Sequence, residues 1–310
     1  MFASAVRNSN AAMHSLWDAA SGLLRGNVRA NSSHVPSPLS TEEQDRLRHP
    51  LERRVAIVVG VLAAILAVLM GFLLFWGSEW LEARPAIAKY KPQLDILMAA
   101  VLGAPIVVGY AKHRRRELAQ EESIRVSATQ LPEIHEVLVR HCARIGLQPP
   151  DLYLSDGVEH TTSFAWQRRE CIILSTHDFE MCPESFEEII EFVIARQVGN
   201  ICLGHTKFAS ELLKSFVAPV PFLGGPLAQF RTYSCDRYGA FLAPRAIRAV
   251  IVAATGDQLH NLVNFDAYLA QLDEGISKGW LTSLLGLTRK RVPLANRILE
   301  LRRAGLLTKI

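Results

Sequence analysis

One predicted helix carries polar side chains on the face that its apolar residues turn toward the interior. This stripe consists, at intervals of three or four residues, of Ile189, Val193, Arg196 and Asn200. Such spacing places residues on one face of a helix. Because the first two are apolar, Arg196 and Asn200 point toward the interior or into a cleft, where polar groups need partners. The stripe is therefore the first candidate functional feature.

The elements around the stripe predict an α+β fold that is mainly helical and has a small sheet. The helix itself should run from Pro183 to about His205, because proline suits the first helical position. Apolar periodicity and turn signals then place the other segments. These are a helix at 131–147, strands at 151–156 and 170–176, a loop or edge strand at 161–169, an apolar Pro- and Gly-rich stretch at 216–230, and helices to the C-terminus.

Two apolar segments precede this region. Residues 55–77 contain no charged residue, and at ~1.5 Å per residue they reach ~34 Å, enough to cross a hydrocarbon layer of ~30 Å. The second segment, at about 94–111, is weaker, since its uncharged stretch is short and contains Pro105. We expect a transmembrane hairpin, with a re-entrant or surface position of the second segment as the alternative.

Positive charge on both flanks of the hairpin predicts its orientation. Lys and Arg lie before it at 46, 48, 53 and 54 and after it at 112, 114, 115 and 116, whereas the loop holds Arg84, Lys89 and Lys91. The positive-inside rule therefore places both termini and the following domain in the cytoplasm. We expect an integral protein of a bacterial inner membrane, with an organellar membrane as the alternative.

Composition limits the classes of function. Hydrophobic residues make up 49% and charged residues 21% of the 310 residues, which is too apolar for a disordered chain and too charged for one wholly in the bilayer. The net charge of +4 is small, so no nucleic-acid partner is expected. Five cysteines form no C-x-x-C pair, which favours reduced thiols in a cytosol-facing domain.

The chain divides into three parts. Residues 1–54 form a tail and a short helix, which Ser40 and Glu43 should open as a capping box. Residues 1–40 suit an apolar helical face on the membrane, an organellar transit peptide or a mobile tail. The hairpin follows at 55–111, and a folded domain occupies 117–310.

Several stretches occur in the order and spacing of one known family. They are DLYLSDGVEHTTSFAWQRRECIILSTHDFE (151–180), EFVIARQVGNICLGHTKF (191–208), YSCDRYGAFLA (233–243) and VPLANRILELR (292–302). With the two spans, they resemble the HtpX/CAAX-prenyl-protease type of membrane zinc metallopeptidases over about residues 55–305. The resemblance implies a zincin-like domain whose active-site helix reads H-E-x-x-H, with a second helix E-Y-S-C-D-R and a closing H-P-x-x-x-R-I-x-x-L motif.

The residues that this family uses for chemistry are replaced here. The two metal-binding His positions fall on Arg196 and Asn200, the general base on Gln197, and the third ligand, a Glu, on Thr232. An arginine cannot coordinate Zn²⁺ and would repel it, and a glutamine cannot take a proton from water. Amides and hydroxyls are poor zinc ligands. No cofactor is therefore predicted, although zinc is the cofactor of the family.

The family's Asp in the second helix is retained as Asp236. We expect the Arg196 guanidinium to occupy the space left by zinc and to pair with Asp236, which neutralises the cavity. His205 corresponds to a family position that is not a ligand and should cap or pack. Two alternatives are less favoured. One is a relocated metal site built from His160, Cys202, His205 and Cys235. The other is a Cys202 nucleophile that acts with His205.

The segment between the two predicted strands is a candidate peptide-binding edge, formed by Ser163, Phe164, Ala165 and Trp166. Peptidases of this type bind substrate as an added β-strand along such an edge, through main-chain hydrogen bonds. This segment could therefore hold an extended peptide without cutting it. An ordinary loop with Trp166 packed in the core is the alternative.

Together these features predict a membrane-anchored pseudopeptidase, a non-catalytic binding, scaffold or regulatory protein in membrane protein quality control. Its expected partners are the lipid bilayer and segments of membrane proteins or peptides. The first alternative is an active membrane zinc metalloendopeptidase with atypical ligands. The second is a membrane-tethered polybasic module that uses Arg114–Arg116.

Overall fold

The computed structural model describes most of the chain. The described residues are 37–75, 77, 89–166, 169–180, 186–218, 220, 222–244, 264–274, 286, 289 and 292–307. The predictions for the N-terminal tail before residue 37, for the loop at 78–88 and for Pro183 lie outside these ranges.

The described residues form a mainly helical protein with one small mixed sheet. The helices are α1 (Thr41–Leu47), α2 (Glu52–Phe75), α3 (Lys91–Glu121), α4 (Pro132–Ile145), α5 (His177–Glu180), α6 (Phe186–Cys202), α7 (Phe208–Val217), α8 (Gly224–Leu242), α9 (Phe265–Asp273) and α10 (Leu294–Arg303). The strands are β1 (Ile124–Val126), β2 (Asp151–Ser155), β3 (Thr162–Trp166) and β4 (Arg169–Ser175).

The first helix shows how local sequence fixes an element boundary. Ser40 Oγ accepts a hydrogen bond from the Glu43 main-chain N–H at 3.3 Å, and the Glu43 carboxylate accepts one from the Ser40 N–H at 2.8 Å. This reciprocal arrangement satisfies two donors that a helix start leaves open. The predicted capping box is confirmed, and α1 ends at Leu47, five residues before α2 begins.

Helices α2 and α3 are both long and apolar enough to cross a membrane. Few of their residues are buried within the fold, unlike the core helix of a soluble protein. Helix α3 is longer than the predicted segment at 94–111, because it continues at both ends and runs through Pro105. A proline inside a helix removes one main-chain hydrogen bond, which spanning helices tolerate. The two helices are compatible with membrane insertion.

The sheet has the strand order β1-β2-β4-β3, with β2 and β4 parallel and the other pairs antiparallel. The central strand β4 is buried over its apolar run Cys171–Leu174, as expected for a strand covered on both faces. Strand β3 forms one edge, so the segment predicted as a loop or edge strand is a strand. The opposite edge is β1, which the sequence analysis did not predict.

The core lies between the sheet and helices α4, α6, α8 and α10. Helices α6 and α8 cross at two glycines. A Cβ on Gly199 would lie 2.5 Å from Tyr238 Cβ, and one on Gly239 would lie 2.7 Å from Arg196 Cγ. Any larger residue at these positions would push the helices apart. This close crossing brings Arg196 of α6 against the polar residues of α8.

Two helix boundaries differ from the sequence predictions. Helix α6 ends at Cys202, so His205 lies in the turn that follows, where Gly204 adopts a positive φ of 72°. Glycine tolerates that conformation. Helix α8 begins at Gly224, inside the Pro- and Gly-rich stretch 216–230, whereas helices were expected only after that stretch. Pro226 lies in its first turn, where no main-chain N–H partner is lost.

Candidate functional site

The four family positions line one cavity of about 310 Å³, open to solvent between β3, α6, α7 and α8. The residues that matter to its chemistry include Ser163, Arg196, Gln197, Asn200, Thr232 and Cys235. The fold therefore brings the predicted peptide-binding edge and the replaced metal-binding positions to the same place. Asp236 lies behind the wall of the cavity, with only 1% of its surface exposed.

Asp236 is held between two arginines. Arg196 Nε lies 2.7 Å from Asp236 Oδ1, which confirms the predicted ion pair, although this N–H is not aligned for a hydrogen bond. Arg297 of α10 binds the same carboxylate at both oxygens, with N–O distances of 2.6 and 2.8 Å. Burial raises the pKa of Asp236, but the two guanidinium groups outweigh it and hold the pKa below the ordinary value.

Arg297 was missed as a site residue although its motif, VPLANRILELR, was recognised. Its two well-aligned hydrogen bonds make it the stronger partner of Asp236. Two cations on one carboxylate leave an excess of positive charge beside the cavity. That excess acts against binding a divalent cation there.

The amide side chains of α6 tie that helix to the sheet edge. Asn200 Nδ2 donates to Ser163 Oγ at 2.8 Å, and Ser163 Oγ donates to Gln197 Oε1 at 2.8 Å. Gln197 Nε2 donates in turn to the main-chain carbonyl of Thr161 at 3.1 Å. The positions of the family's base and second His ligand are thus occupied by a chain of hydrogen bonds that fixes β3 against α6.

The donor and acceptor roles in this series of hydrogen bonds are set by the Thr161 carbonyl, which can only accept. It follows that Gln197 presents its oxygen to Ser163, and that Asn200 presents its nitrogen to Ser163 and its Oδ1 to His205. Asn200 Oδ1 lies 2.9 Å from His205 Nδ1, so this ring nitrogen carries a proton.

His205 links this series of hydrogen bonds to the start of α2. Its Nε2 lies 2.8 Å from Glu52 Oε1, and both residues are buried. The other oxygen of Glu52 accepts a hydrogen bond from Ser234, whose hydroxyl oxygen also accepts from the His49 N–H. Burial lowers the pKa of His205, and the carboxylate of Glu52 offsets part of that effect.

Because Nδ1 of His205 must donate, the contact between His205 and Glu52 needs one further proton, on the ring or on the carboxyl group. A buried Glu–His pair that shares one proton therefore connects the start of α2 to the cavity. Glu52 was not singled out from the sequence. The only local signal is an acidic residue three positions before a long apolar segment. Its burial depends on a partner elsewhere in the chain, which the local sequence does not reveal.

The other predicted candidates do not assemble a metal site. Thr232 Oγ1 donates to the Ala228 carbonyl of its own helix at 2.9 Å. Cys202 Sγ lies near Gln44 and Tyr238. Burial raises the pKa of Cys235 to about 12, so this thiol is not a thiolate at neutral pH. His160 is exposed and lies 3.9 Å from Asp178.

Across the described ranges, no group of three or more His, Cys, Asp or Glu side chains is close enough to hold a metal ion. The residues at the family's ligand positions do not suit zinc either. They are a guanidinium, an amide and a hydroxyl, whereas zinc prefers thiolate, imidazole and carboxylate. No catalytic step through zinc can be derived from these residues.

The predicted peptide-binding edge has an inner and an outer side. Ser163 is buried and faces Gln197 and Asn200, whereas Phe164 packs on the other face of the sheet with 1% of its surface exposed. Ala165 is half-buried, and Trp166 closes the strand. The alternation matches a strand whose side chains are fixed.

Comparison of the chain with protein-family models, curated proteins and solved structures finds no match. The likeness to membrane zinc metallopeptidases therefore remains a resemblance in motifs and their order.

Proposed function

We propose that this protein is a membrane-anchored pseudopeptidase that binds extended segments of membrane proteins without cutting them. It would act as a binding, scaffold or regulatory protein in membrane protein quality control. The single observation that carries the proposal is the Arg196–Asp236–Arg297 cluster, in which Arg196 occupies a position that the resembled family uses for a zinc ligand.

The chemistry of the cluster supports the loss of catalysis. Hydrolysis by this class of enzyme needs a Lewis acid and a base that activates water. Arg196 supplies a fixed cation with no lone pair to offer, and the oxygen of Gln197 already accepts the Ser163 proton. Among the described residues, no group of three or more His, Cys, Asp or Glu side chains offers a replacement metal site.

The position of β3 supports the binding role. An edge strand presents main-chain N–H and C=O groups that a peptide can join as a further strand. Because Thr161, Thr162 and Ser163 line the cavity, a peptide paired with β3 would pass along it. The Ser163–Gln197–Asn200 hydrogen bonds hold the strand against α6, so the edge is rigid before a peptide binds.

We further propose that α2 and α3 form the membrane hairpin and place the cavity on the cytoplasmic side. The two apolar helices and the Lys and Arg residues that flank them support this orientation.

Site-specific photo-crosslinking tests the binding proposal. A benzophenone amino acid replaces Thr162 on β3 or, as the matched control, Ile124 on β1 at the opposite edge of the same sheet. The full chain, in detergent, is illuminated with a fluorescent extended peptide rich in Val and Leu. We expect a crosslink to intact peptide from position 162 and far less from position 124.

Two results would contradict the proposal. The first is equal crosslinking from both edges, since that would show no preference for β3. The second is cleavage of the peptide that a chelator abolishes, because this would identify an active metallopeptidase.

A further inference from the structure

The cavity wall carries more positive than negative charge. Its lining includes four basic side chains, Arg116, Arg196, Lys214 and Arg231, and one carboxylate, Glu211. Besides Arg196 of α6, they come from the three helices α3, α7 and α8. A surplus of this kind inside a concave site attracts anions.

The single carboxylate is already shared. Lys214 Nζ lies 3.3 Å from Glu211 Oε1, and Arg116 Nη2 lies 3.6 Å from Glu211 Oε2. Although burial raises the pKa of Glu211, these cations outweigh it and hold the pKa below its ordinary value. Glu211 therefore stays ionised and offsets only one of the two charges beside it.

Arg231 has no carboxylate partner within 4 Å in the described part of the chain. Its Nη2 donates to Ser210 Oγ at 2.7 Å, and the side chain is half-buried. A guanidinium offers five N–H donors, so one bond to a hydroxyl leaves most of its capacity unused. The charge of Arg196 is not fully neutralised either, because its carboxylate partner, Asp236, is shared with Arg297.

We propose that this cavity binds a phosphate group, with Arg231, Lys214 and Arg116 as the residues that hold it. Phosphate oxygens accept charge-assisted hydrogen bonds from guanidinium and ammonium groups, and arginine can bind two of them at once. The anion would balance the surplus that Glu211 and Asp236 leave. This inference does not depend on the proposed function, because none of these three residues occupies a metal-ligand or base position.

A phospholipid headgroup is the source that the surroundings favour. Arg116 lies five residues, or ~7.5 Å, beyond Ala111, where the apolar run of α3 ends. Helix α7, which carries Lys214, packs on α2 through Val217 and neighbouring apolar residues, and it also contacts α3. Basic residues just past a membrane helix lie at the level of the lipid headgroups.

Exposed apolar side chains next to the cationic residues support the same source. Phe208 and Leu212 of α7 are 81% and 36% exposed, and Phe222 in the following loop is 46% exposed. A helix that shows aromatic and leucine side chains on one side and basic residues on the other suits the membrane interface. The apolar side would contact acyl chains while the phosphate enters the cavity.

Native mass spectrometry of the full chain in detergent tests the proposal. The probes are phosphatidylglycerol, diacylglycerol with the same acyl chains, and inorganic phosphate. We expect one phosphatidylglycerol to bind in preference to diacylglycerol. Its apparent Kd should rise at least about tenfold in Arg231→Gln and in Lys214→Gln, since each removes a charge-assisted hydrogen bond.

Arg125→Gln is the matched control, because Arg125 is an exposed arginine that pairs with Asp151 on the sheet, outside the cavity lining. Its Kd should change less than about twofold. Binding of inorganic phosphate that competes at equal concentration would support the phosphate site and assign it to a free anion. Equal binding of phosphatidylglycerol and diacylglycerol, or equal Kd values for the Arg231 and Arg125 variants, would overturn the proposal.

Discussion

Replacing the carboxylate of Asp236 with an amide gives the sharpest test of the buried charge cluster. Asp236→Asn keeps the size of the side chain and removes the only negative charge between Arg196 and Arg297. Both guanidinium groups then face a neutral amide at a site where the aspartate is 1% exposed. The variant therefore isolates charge from packing.

The expected loss follows from burial. Removing one partner of a buried ion pair costs about 3–5 kcal/mol, because the remaining charge is left uncompensated. That is a large fraction of the ~5–15 kcal/mol by which a protein domain is stable. Unfolding of the detergent-solubilised full chain by guanidinium chloride, followed by tryptophan fluorescence, measures the free energy of unfolding.

Arg196→Gln is the matched comparison. It leaves the two aligned hydrogen bonds from Arg297 to Asp236 intact, and Arg196 is 28% exposed, so water screens its pair. We expect a loss of about 1 kcal/mol for this variant. A loss in Asp236→Asn no larger than that in Arg196→Gln would refute the reasoning, since it would show that the buried carboxylate does not hold the cluster together.

Three further predictions follow from the same contacts. Because the pKa of Asp236 is lowered in the folded protein, its contribution to stability is complete above about pH 4 and is lost as the pH falls further. The free energy of unfolding, measured as a function of pH, should show this loss in the wild type and a smaller one in Asp236→Asn. Gly199→Ala should cost about 1–3 kcal/mol of stability, because its Cβ would overlap Tyr238, whereas Gly60→Ala has open space around it and should not destabilise the protein. Equal unfolding temperatures for the two variants would contradict the close helix crossing. Glu52→Gln should change stability by less than about 1 kcal/mol, since the amide N–H can donate to His205 in place of the shared proton, whereas Glu52→Leu should cost about 2–3 kcal/mol because it leaves buried polar groups unpaired. Equal losses of the two variants in a guanidinium chloride titration would argue against a shared proton.

Features set by neighbouring residues were predictable from the sequence. The capping box of Ser40 and Glu43 joins residues three apart, so its geometry is contained in the local pattern. Strand β4 and helix α4 were likewise predicted within a few residues, because apolar spacing decides them. Strand β1 was missed because three residues are too few to show an alternation.

Features that depend on distant partners were predicted only in part. The pairing of Arg196 with Asp236 was expected because both lie in stretches that resemble known motifs. The roles of Arg297 and Glu52 were not, because their partners lie 61 and 153 residues away and no local rule connects them. The extension of α3 beyond its apolar run also depends on neighbours, since its polar end packs against α7 and β2.

The zinc content of the purified full chain tests the central claim most directly. The protein is purified in detergent with added zinc, passed over a desalting column, and measured by inductively coupled plasma mass spectrometry beside its Asn200→Ala variant. We expect far less than one zinc ion per chain in both. A content near one zinc per chain that falls in Asn200→Ala would contradict the account, because it would place a metal in the cavity beside Arg196 and Asn200.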